Sequence, residues 1–89
     1  MELKKMVIID DEPLIASGLA EKMDWSSMGI RIVGTACNGE QGLKLIDETM
    51  PDIVVSDIVM PALNGIQLAE LCAQRYPNMK IILLSAHSD

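Results

Sequence analysis

The stretch MVIIDDEP, residues 6–13, decides the fold, because four apolar residues suited to a strand end abruptly in three acidic ones. A continuous apolar run of this length is typical of a strand buried on both faces of a parallel sheet. Pro13 suits the first turn of a following helix. The apolar face of that helix is predicted at four residues with helical spacing, Leu14, Ile15, Leu19 and Met23.

The same alternation of strand and helix continues along the chain. Further strands are predicted at residues 30–36, 53–57 and within residues 80–85. Two more helices should begin at Asn38 and Asn64, each followed three residues later by Gln, and end before a proline. Their predicted apolar residues are Leu43, Ile46 and Met50 in one helix, and Ile66, Ala69, Cys72, Ala73 and Tyr76 in the other. The order β-α-β-α-β-α-β predicts an α/β fold with a parallel sheet covered on both faces.

The composition of the strands predicts their order in the sheet. The first, third and fourth are solidly apolar, which suits interior strands, whereas Arg31 and Gly34 in the second suit an edge. The order 2-1-3-4 places the second strand correctly but leaves the apolar fourth strand at the other edge. We therefore expect either a C-terminally truncated sheet or a second copy at this strand, as a homodimer or an oligomer with exchanged elements.

Length and composition restrict the class of protein. The 89 residues, 49% hydrophobic and 22% charged, suit one small domain. The formal net charge of −6 argues against a nucleic-acid surface, and the apolar runs are too short for a membrane span. Cys37 and Cys72 stand far apart without a metal-ligand pattern, so we expect buried free thiols in a cytoplasmic protein.

Acidic side chains follow two strands that the predicted order makes neighbours. Asp10 and Asp11 follow the first strand, and Asp57 ends the third. Ligand sites of open parallel sheets lie beyond the carboxyl ends of the strands where the order reverses, so these carboxylates should converge. Converging carboxylates repel one another unless a cation lies among them, and oxygen donors without His or Cys favour Mg²⁺ over zinc.

A carboxylate beside such an ion can act as a nucleophile and accept a phosphoryl group as an acyl phosphate. Ser85, at the end of the fourth strand, would bring a hydroxyl to the same rim. Simpler roles exist for each residue alone: Asp11 as a helix cap, Asp57 as a turn former, and Ser85 as a hydroxyl bonded to backbone. The position of acidic residues at two neighbouring strand ends favours the chemical role.

These residues resemble the receiver domains of two-component response regulators. The matching segments, in the order and spacing of the family, are VIIDDEP at 7–13, PDIVVSD at 51–57, MP at 60–61, NG at 64–65 and ILLSA at 82–86. The stretch from Trp25 to Glu40 is similar to receivers joined to AraC-type DNA-binding regions.

The resemblance implies a flavodoxin-like three-layer sandwich, with residues 1–89 forming one receiver domain truncated before its fourth helix, fifth strand and fifth helix. It implies that Asp57 accepts a phosphoryl group from a sensor histidine kinase. It also implies that Asp10 and Asp11 hold Mg²⁺ together with Asp57 and the backbone carbonyl of Val59, and that Ser85 is the switch hydroxyl. Met60-Pro61 and Gly65 would shape the loop after the phosphoacceptor.

A receiver of this kind is not a dedicated enzyme. The resemblance implies that it controls transcription through a DNA-binding output region that these 89 residues do not contain. It implies contact with DNA only through that region and no membrane partner.

Three other functions were compatible with parts of the pattern. A receiver-like module that dimerises without phosphorylation stays open, because the fourth strand could pair with a second copy. A haloacid-dehalogenase-type enzyme needs a second Asp two residues after the nucleophile, where this chain has Val59. A mononucleotide binder needs a glycine-rich first turn, where this chain has Asp11-Glu12-Pro13. The last two are therefore rejected.

Overall fold

The computed structural model describes residues 2–84, in which four strands and three α-helices alternate. The strands are β1 (Lys4–Ile9), β2 (Ile30–Ala36), β3 (Ile53–Asp57) and β4 (Lys80–Leu84), and the helices are α1 (Pro13–Lys22), α2 (Gly39–Thr49) and α3 (Gly65–Arg75). A short 3₁₀ helix, Trp25–Met28, lies between α1 and β2. All strand pairs are parallel, and the order β2-β1-β3-β4 confirms the prediction. No helix in this part of the chain has the length and apolar character needed to cross a membrane.

The sheet buries an aliphatic core on each of its faces. On one face α2 and α3 pack Ile46 and Leu68 against strand residues that include Val7 and Val54. On the other face α1 packs Ala16 against residues that include Ile8. The molecule is therefore a three-layer α/β/α sandwich, as predicted.

Side-chain caps set where α2 and α3 begin. The Asn38 Oδ1 accepts a hydrogen bond from the Gln41 N–H at 2.8 Å. The Asn64 Oδ1 accepts from the Gln67 N–H at 2.9 Å, and the Gln67 Oε1 accepts from the Asn64 N–H at 3.0 Å, which completes a capping box. Both helices begin at the end of the sheet where the parallel strands finish, because α2 follows β2 and α3 follows β3.

The predicted apolar face of α1 is correct only at Leu19. Leu14 is 86% exposed, and Ile15 and Met23 are exposed as well. The side chains that pack against the sheet are those of Ala16, Leu19 and Ala20. These three residues also have helical spacing, and the short alanine side chains leave room for the helix to lie close to the strands.

The predicted face of α3 and the predicted burial of the thiols are each correct only in part. Cys72 is buried, but Ile66 and Ala73 are exposed, and Leu68, which the prediction did not include, is as fully buried as Cys72. Cys37 is only half-buried, because it lies in the loop after β2.

The two edge strands differ in how well the sequence predicted them. β2 is at one edge, as expected from Arg31 and Gly34. β4 lies at the other edge, and none of its five residues is buried. Its apolar composition predicted an interior strand, and β4 is not interior within residues 2–84. Ile82 and Leu84 are exposed on this strand.

Candidate functional site

Three carboxylates meet at the carboxyl edge of the sheet. Asp10 and Asp11 directly follow β1, and Asp57 is the last residue of β3. The register pairs Ile9 with Ser56, so Asp10 and Asp57 come next to each other on adjacent strands. One oxygen of each of the three carboxylates lies within 4.8 Å of the others. The predicted convergence is therefore present in the structure.

The three carboxylates differ in burial and in hydrogen bonding. Asp57 is 3% exposed and Asp10 7%, whereas Asp11 is exposed. The Asp10 Oδ1 accepts a hydrogen bond from the Glu12 N–H at 2.9 Å, and the Asp57 Oδ1 accepts one from the Val59 N–H at 3.3 Å. These backbone amides orient the buried carboxylates, and they leave the second oxygen of each without a described hydrogen bond.

Burial is the main influence on the ionisation of Asp10. It raises the pKa of that carboxyl, and the hydrogen bond from the Glu12 N–H partly opposes this rise. The negative charges of Asp57, Asp11 and Glu12 raise the pKa of Asp10 further. Burial and the neighbouring negative charges therefore disfavour the ionised form of Asp10.

Gly65 allows the start of α3 to lie against the end of β3. Its N–H donates to the Ile58 carbonyl at 2.9 Å. A Cβ at this position would lie 2.4 Å from the Asp57 carbonyl oxygen and 2.9 Å from the Ile58 Cα, so no larger residue fits without moving backbone. Met60, at 6% exposure, anchors the intervening loop in the core.

The structure locates four of the five predicted site residues. Asp10, Asp11 and Asp57 come together, and Val59 lies two residues after Asp57 with its side chain exposed. Ser85 lies outside the described residues. The alternative role of Asp11 as a helix cap is wrong, because Glu12 holds the cap position of α1 and no side chain caps that helix.

Ser56 contributes to the site although the sequence pattern did not predict a role for it. This residue is fully buried, and its hydroxyl donates to the Asp57 carbonyl at 3.0 Å. The one polar residue within an otherwise apolar run just before Asp57 was the available signal. Ser56 therefore helps to fix the backbone that carries the Asp57 side chain.

The donor set suits a hard divalent cation. Carboxylate oxygens are the protein ligands that Mg²⁺ prefers, and this ion needs only one or two of them besides water and substrate oxygens. The ion pair found within residues 2–84 joins Arg75 to Asp47, away from the three carboxylates. These residues could therefore hold a metal ion that offsets their mutual repulsion.

Comparison with known proteins settles the family. The response regulator receiver domain family matches residues 6–89. This chain belongs to that family. The receiver resemblance seen in the sequence is therefore confirmed, and receiver domains of two-component response regulators are not dedicated enzymes.

Similar proteins agree with this family and its fold. The uncharacterized transcriptional regulatory protein YhcZ of Bacillus subtilis is 38% identical over 89 residues, covering 96% of this chain and 39% of that protein. The REC domain of AraT, a response regulator from Geobacillus stearothermophilus, has a TM-score of 0.86 and 31% identity, covering 91% of this chain and 63% of that chain. The two component transcriptional regulator AraC from Clostridium phytofermentans has a TM-score of 0.85 and 28% identity, covering 97% of this chain and 69% of that chain.

The receiver therefore has the flavodoxin-like fold that the resemblance implied, and its structural neighbours include receivers of AraC-type regulators. The chain spans about two fifths of the length of the YhcZ protein that it matches.

Proposed function

We propose that this receiver is a phosphoacceptor, in which Asp57 takes a phosphoryl group from a sensor histidine kinase with Mg²⁺ at the site. The observation that carries the proposal is the burial of Asp10 and Asp57 beside each other, with Asp11 within the same 4.8 Å group. Crowded, buried carboxylates destabilise a fold unless a cation offsets their charge, and such costly groups cluster at functional sites. The chain belongs to the receiver family of two-component response regulators, which indicates that the reaction is phosphoryl transfer.

The hydrogen bonding of Asp57 favours one of its two oxygens as the nucleophile. Oδ1 accepts the Val59 N–H, which leaves Oδ2 free to attack the phosphorus atom of a phosphohistidine. The new P–O bond gives an acyl phosphate, and the broken P–N bond returns its electron pair to the imidazole of the kinase. The Val59 N–H holds the carboxylate in one orientation during this transfer.

The remaining predicted residues would complete the site. Asp10 and Asp11, with Asp57 and the backbone carbonyl of Val59, would be the ligands of Mg²⁺. When bound, the ion neutralises charge shared by the carboxylates and the phosphoryl oxygens. Ser85 would donate its hydroxyl to a phosphoryl oxygen, a role supported by the register that pairs the preceding residue, Leu84, with Asp57.

We further propose that residues 1–89 act as the receiver region of a longer cytoplasmic transcription regulator, because YhcZ, of which the match covers 39%, is named a transcriptional regulatory protein. DNA would be contacted through the output region of such a regulator. A receiver-like module that works without phosphorylation is not favoured, since it gives the buried carboxylates no role.

The test is intact mass after incubation with Mg²⁺ and acetyl phosphate. We expect one phosphoryl adduct on the unmodified chain and none on Asp57→Asn. The matched control is Asp52→Asn, which removes an exposed carboxylate at the opposite edge of the sheet and should leave the adduct unchanged. An adduct that persists on Asp57→Asn, or no adduct on any of the three proteins, would contradict the proposal.

A further inference from the structure

The turn between β2 and α2, residues 36–39, contacts the acidic site on the side of β1. Its first residue, Ala36, accepts a hydrogen bond through its carbonyl from the Asp10 N–H at 3.0 Å. Asp10 is the first residue after β1, and its side chain is one of the three clustered carboxylates. The β2–α2 turn therefore helps to fix the backbone that carries this carboxylate.

The last residue of the same turn contacts the loop between β3 and α3, residues 58–64. A Cβ on Gly39 would lie 2.1 Å from the Leu63 carbonyl oxygen and 2.8 Å from the Leu63 Cβ. A residue without a side chain is needed where two backbone segments approach each other this closely. Gly39 therefore brings the start of α2 into direct contact with the loop that follows Asp57.

The β3–α3 loop is closed by a hydrogen bond, so its two ends move together. The Gly65 N–H donates to the Ile58 carbonyl at 2.9 Å, which joins the residue after the loop to the first residue within it. The next residue, Val59, donates its N–H to the Asp57 Oδ1 at 3.3 Å. A displacement of Leu63 therefore reaches the backbone amide that orients the Asp57 carboxylate.

Hydrogen bonds hold the β2–α2 turn itself in one conformation. The Asn38 Oδ1 accepts from the Gln41 N–H at 2.8 Å, and the Asn38 carbonyl accepts from the Gly42 N–H at 2.9 Å. The Gln41 Oε1 in turn accepts from the Cys37 thiol at 3.0 Å. The turn is therefore a firm support for the segments that it contacts on either side.

We propose that the β2–α2 turn positions the metal ligands of the acidic site from both sides, and that Gly39 is the positioning residue for the β3–α3 loop. Ala36 holds the backbone of Asp10, and Gly39 holds the loop that contains Val59. The inference rests on the proposed function, because the ligands of Mg²⁺ are those assigned there. Substitution of residues that support metal ligands typically weakens metal binding by about 10–100-fold.

The test measures the Mg²⁺ concentration that gives half-maximal labelling by acetyl phosphate. Gly39→Ala should raise this concentration about tenfold, because the new Cβ displaces the Leu63 carbonyl and with it the loop. The labelling rate at saturating Mg²⁺ should change by no more than about twofold, since saturation favours the arrangement in which all ligands are in place. A purely structural role for Gly39 would not produce this separation.

The matched control is Gly34→Ala in β2. The three atoms nearest to a Cβ on Gly34, the closest at 2.9 Å, all belong to the Leu45 side chain, which can move without shifting the β3–α3 loop. This variant should lose stability in urea but keep the Mg²⁺ requirement of the unmodified chain. An unchanged Mg²⁺ requirement in Gly39→Ala, or an equal rise in Gly34→Ala, would overturn the proposal.

Hydrogen exchange on the unmodified chain decides the proposal even if Gly39→Ala does not fold. If a fixed turn favours Mg²⁺ binding, then by reciprocity Mg²⁺ must favour the fixed turn. Exchange of the Gln41 N–H, measured by NMR, should therefore slow about tenfold when Mg²⁺ is added. The Met79 N–H, which donates to the Tyr76 carbonyl at the opposite end of the sheet, should not respond. Equal slowing at both amides, or none at Gln41, would contradict the coupling.

The outcomes separate this inference from the proposed function. An unmodified chain that is not labelled at any Mg²⁺ concentration would overturn the proposed function and this inference with it. A labelled chain whose Gly39→Ala variant needs no additional Mg²⁺ would overturn the positioning role alone.

Discussion

Carboxylates at the two ends of the sheet have opposite surroundings. At the end where the strands begin, the Asp52 Oδ2 accepts a hydrogen bond from the Lys5 N–H at 2.8 Å. Nearby, Asp47 on α2 accepts hydrogen bonds from Arg75, at 3.3 Å, and from the Tyr76 hydroxyl. Asp47 therefore has a cationic donor that offsets its negative charge, and Asp52 is exposed to water.

At the end where the strands finish, the carboxylates have one another as neighbours. Asp10 and Asp57 are far more buried than Asp47 or Asp52, yet their described donors are one backbone N–H each. At one end of the sheet the acidic groups thus are exposed and have separate donors, and at the other end they are clustered, two of them buried. Substitutions at either end of the sheet test this difference. The largest effect on stability is expected at Gly65, which lies against the backbone of Asp57.

Gly65→Ala should destabilise the protein by roughly 3 kcal/mol, because the new Cβ would lie 2.4 Å from the Asp57 carbonyl oxygen and the backbone must shift. The matched control is Gly18→Ala on α1, where the nearest heavy atom to a new Cβ, on Lys22, is 4.0 Å away. That change should stabilise the helix by about 0.5–1 kcal/mol. Urea unfolding measures both free energies, and similar effects of the two substitutions would contradict the close approach.

Mg²⁺ should raise the free energy of unfolding by about 2.7 kcal/mol when its concentration is a hundred times its dissociation constant. Asp57→Asn should lose most of this increase, since it removes one of the three clustered carboxylates. Thermal unfolding with Mg²⁺ and with EDTA measures the increase. Asp52→Asn, at the other end of the sheet, is the control and should keep it; an equal loss in both variants would argue against a specific site.

Most of the fold was predictable because its signals are local. The pairs Asn38 with Gln41 and Asn64 with Gln67 mark helix starts without reference to the rest of the chain. The convergence of acidic residues followed from strand order, because parallel strands end at the same edge.

The features that the sequence did not reveal depend on distances between elements. The set Ile15, Leu19 and Met23 and the set Ala16, Leu19 and Ala20 both have helical spacing, and a spacing rule favours the set with larger side chains. Which set packs depends on how closely α1 lies over the sheet, and the structure places Ala16 there at 2% exposure. The exact fit at Gly65 likewise depends on how closely α3 lies to β3, which no local pattern encodes.

Asp10→Asn should stabilise the metal-free protein at pH 7 by on the order of 1 kcal/mol, the size of one like-charge contact at about 4 Å in water. The reason is that the substitution removes a buried charge from beside Asp57 and Asp11. Urea unfolding in EDTA measures the gain. Asp52→Asn should bring no such gain, because Asp52 accepts a hydrogen bond instead of facing other carboxylates. A destabilised Asp10→Asn would show that the crowding is not unfavourable.

The smallest effect is expected at Tyr76, where donor and acceptor are well matched. The hydrogen bond to Asp47 raises the pKa of Tyr76, and burial and the charge of Asp47 act in the same direction. A raised pKa in the folded state means that this hydrogen bond contributes its full stability below the unfolded pKa, about 10, and loses it as the pH rises through the higher folded value. The stability advantage of the unmodified chain over Tyr76→Phe should therefore be present at about pH 8 and shrink above about pH 10.

Tyr76 is the only tyrosine in the sequence, so phenolate absorbance reports its ionisation alone. The titration midpoint of the folded protein should lie above that of the urea-unfolded chain, and Asp47→Asn should bring the two midpoints closer because a neutral amide accepts the hydroxyl proton less strongly than a carboxylate. Arg75→Gln is the matched control, because Arg75 is the other side chain that donates to Asp47. The positive charge of Arg75 lowers the pKa of Tyr76, so its removal should move the folded midpoint upward. Coincident midpoints for the folded and unfolded chain would mean that the hydrogen bond to Asp47 does not favour the protonated Tyr76 hydroxyl in the folded protein.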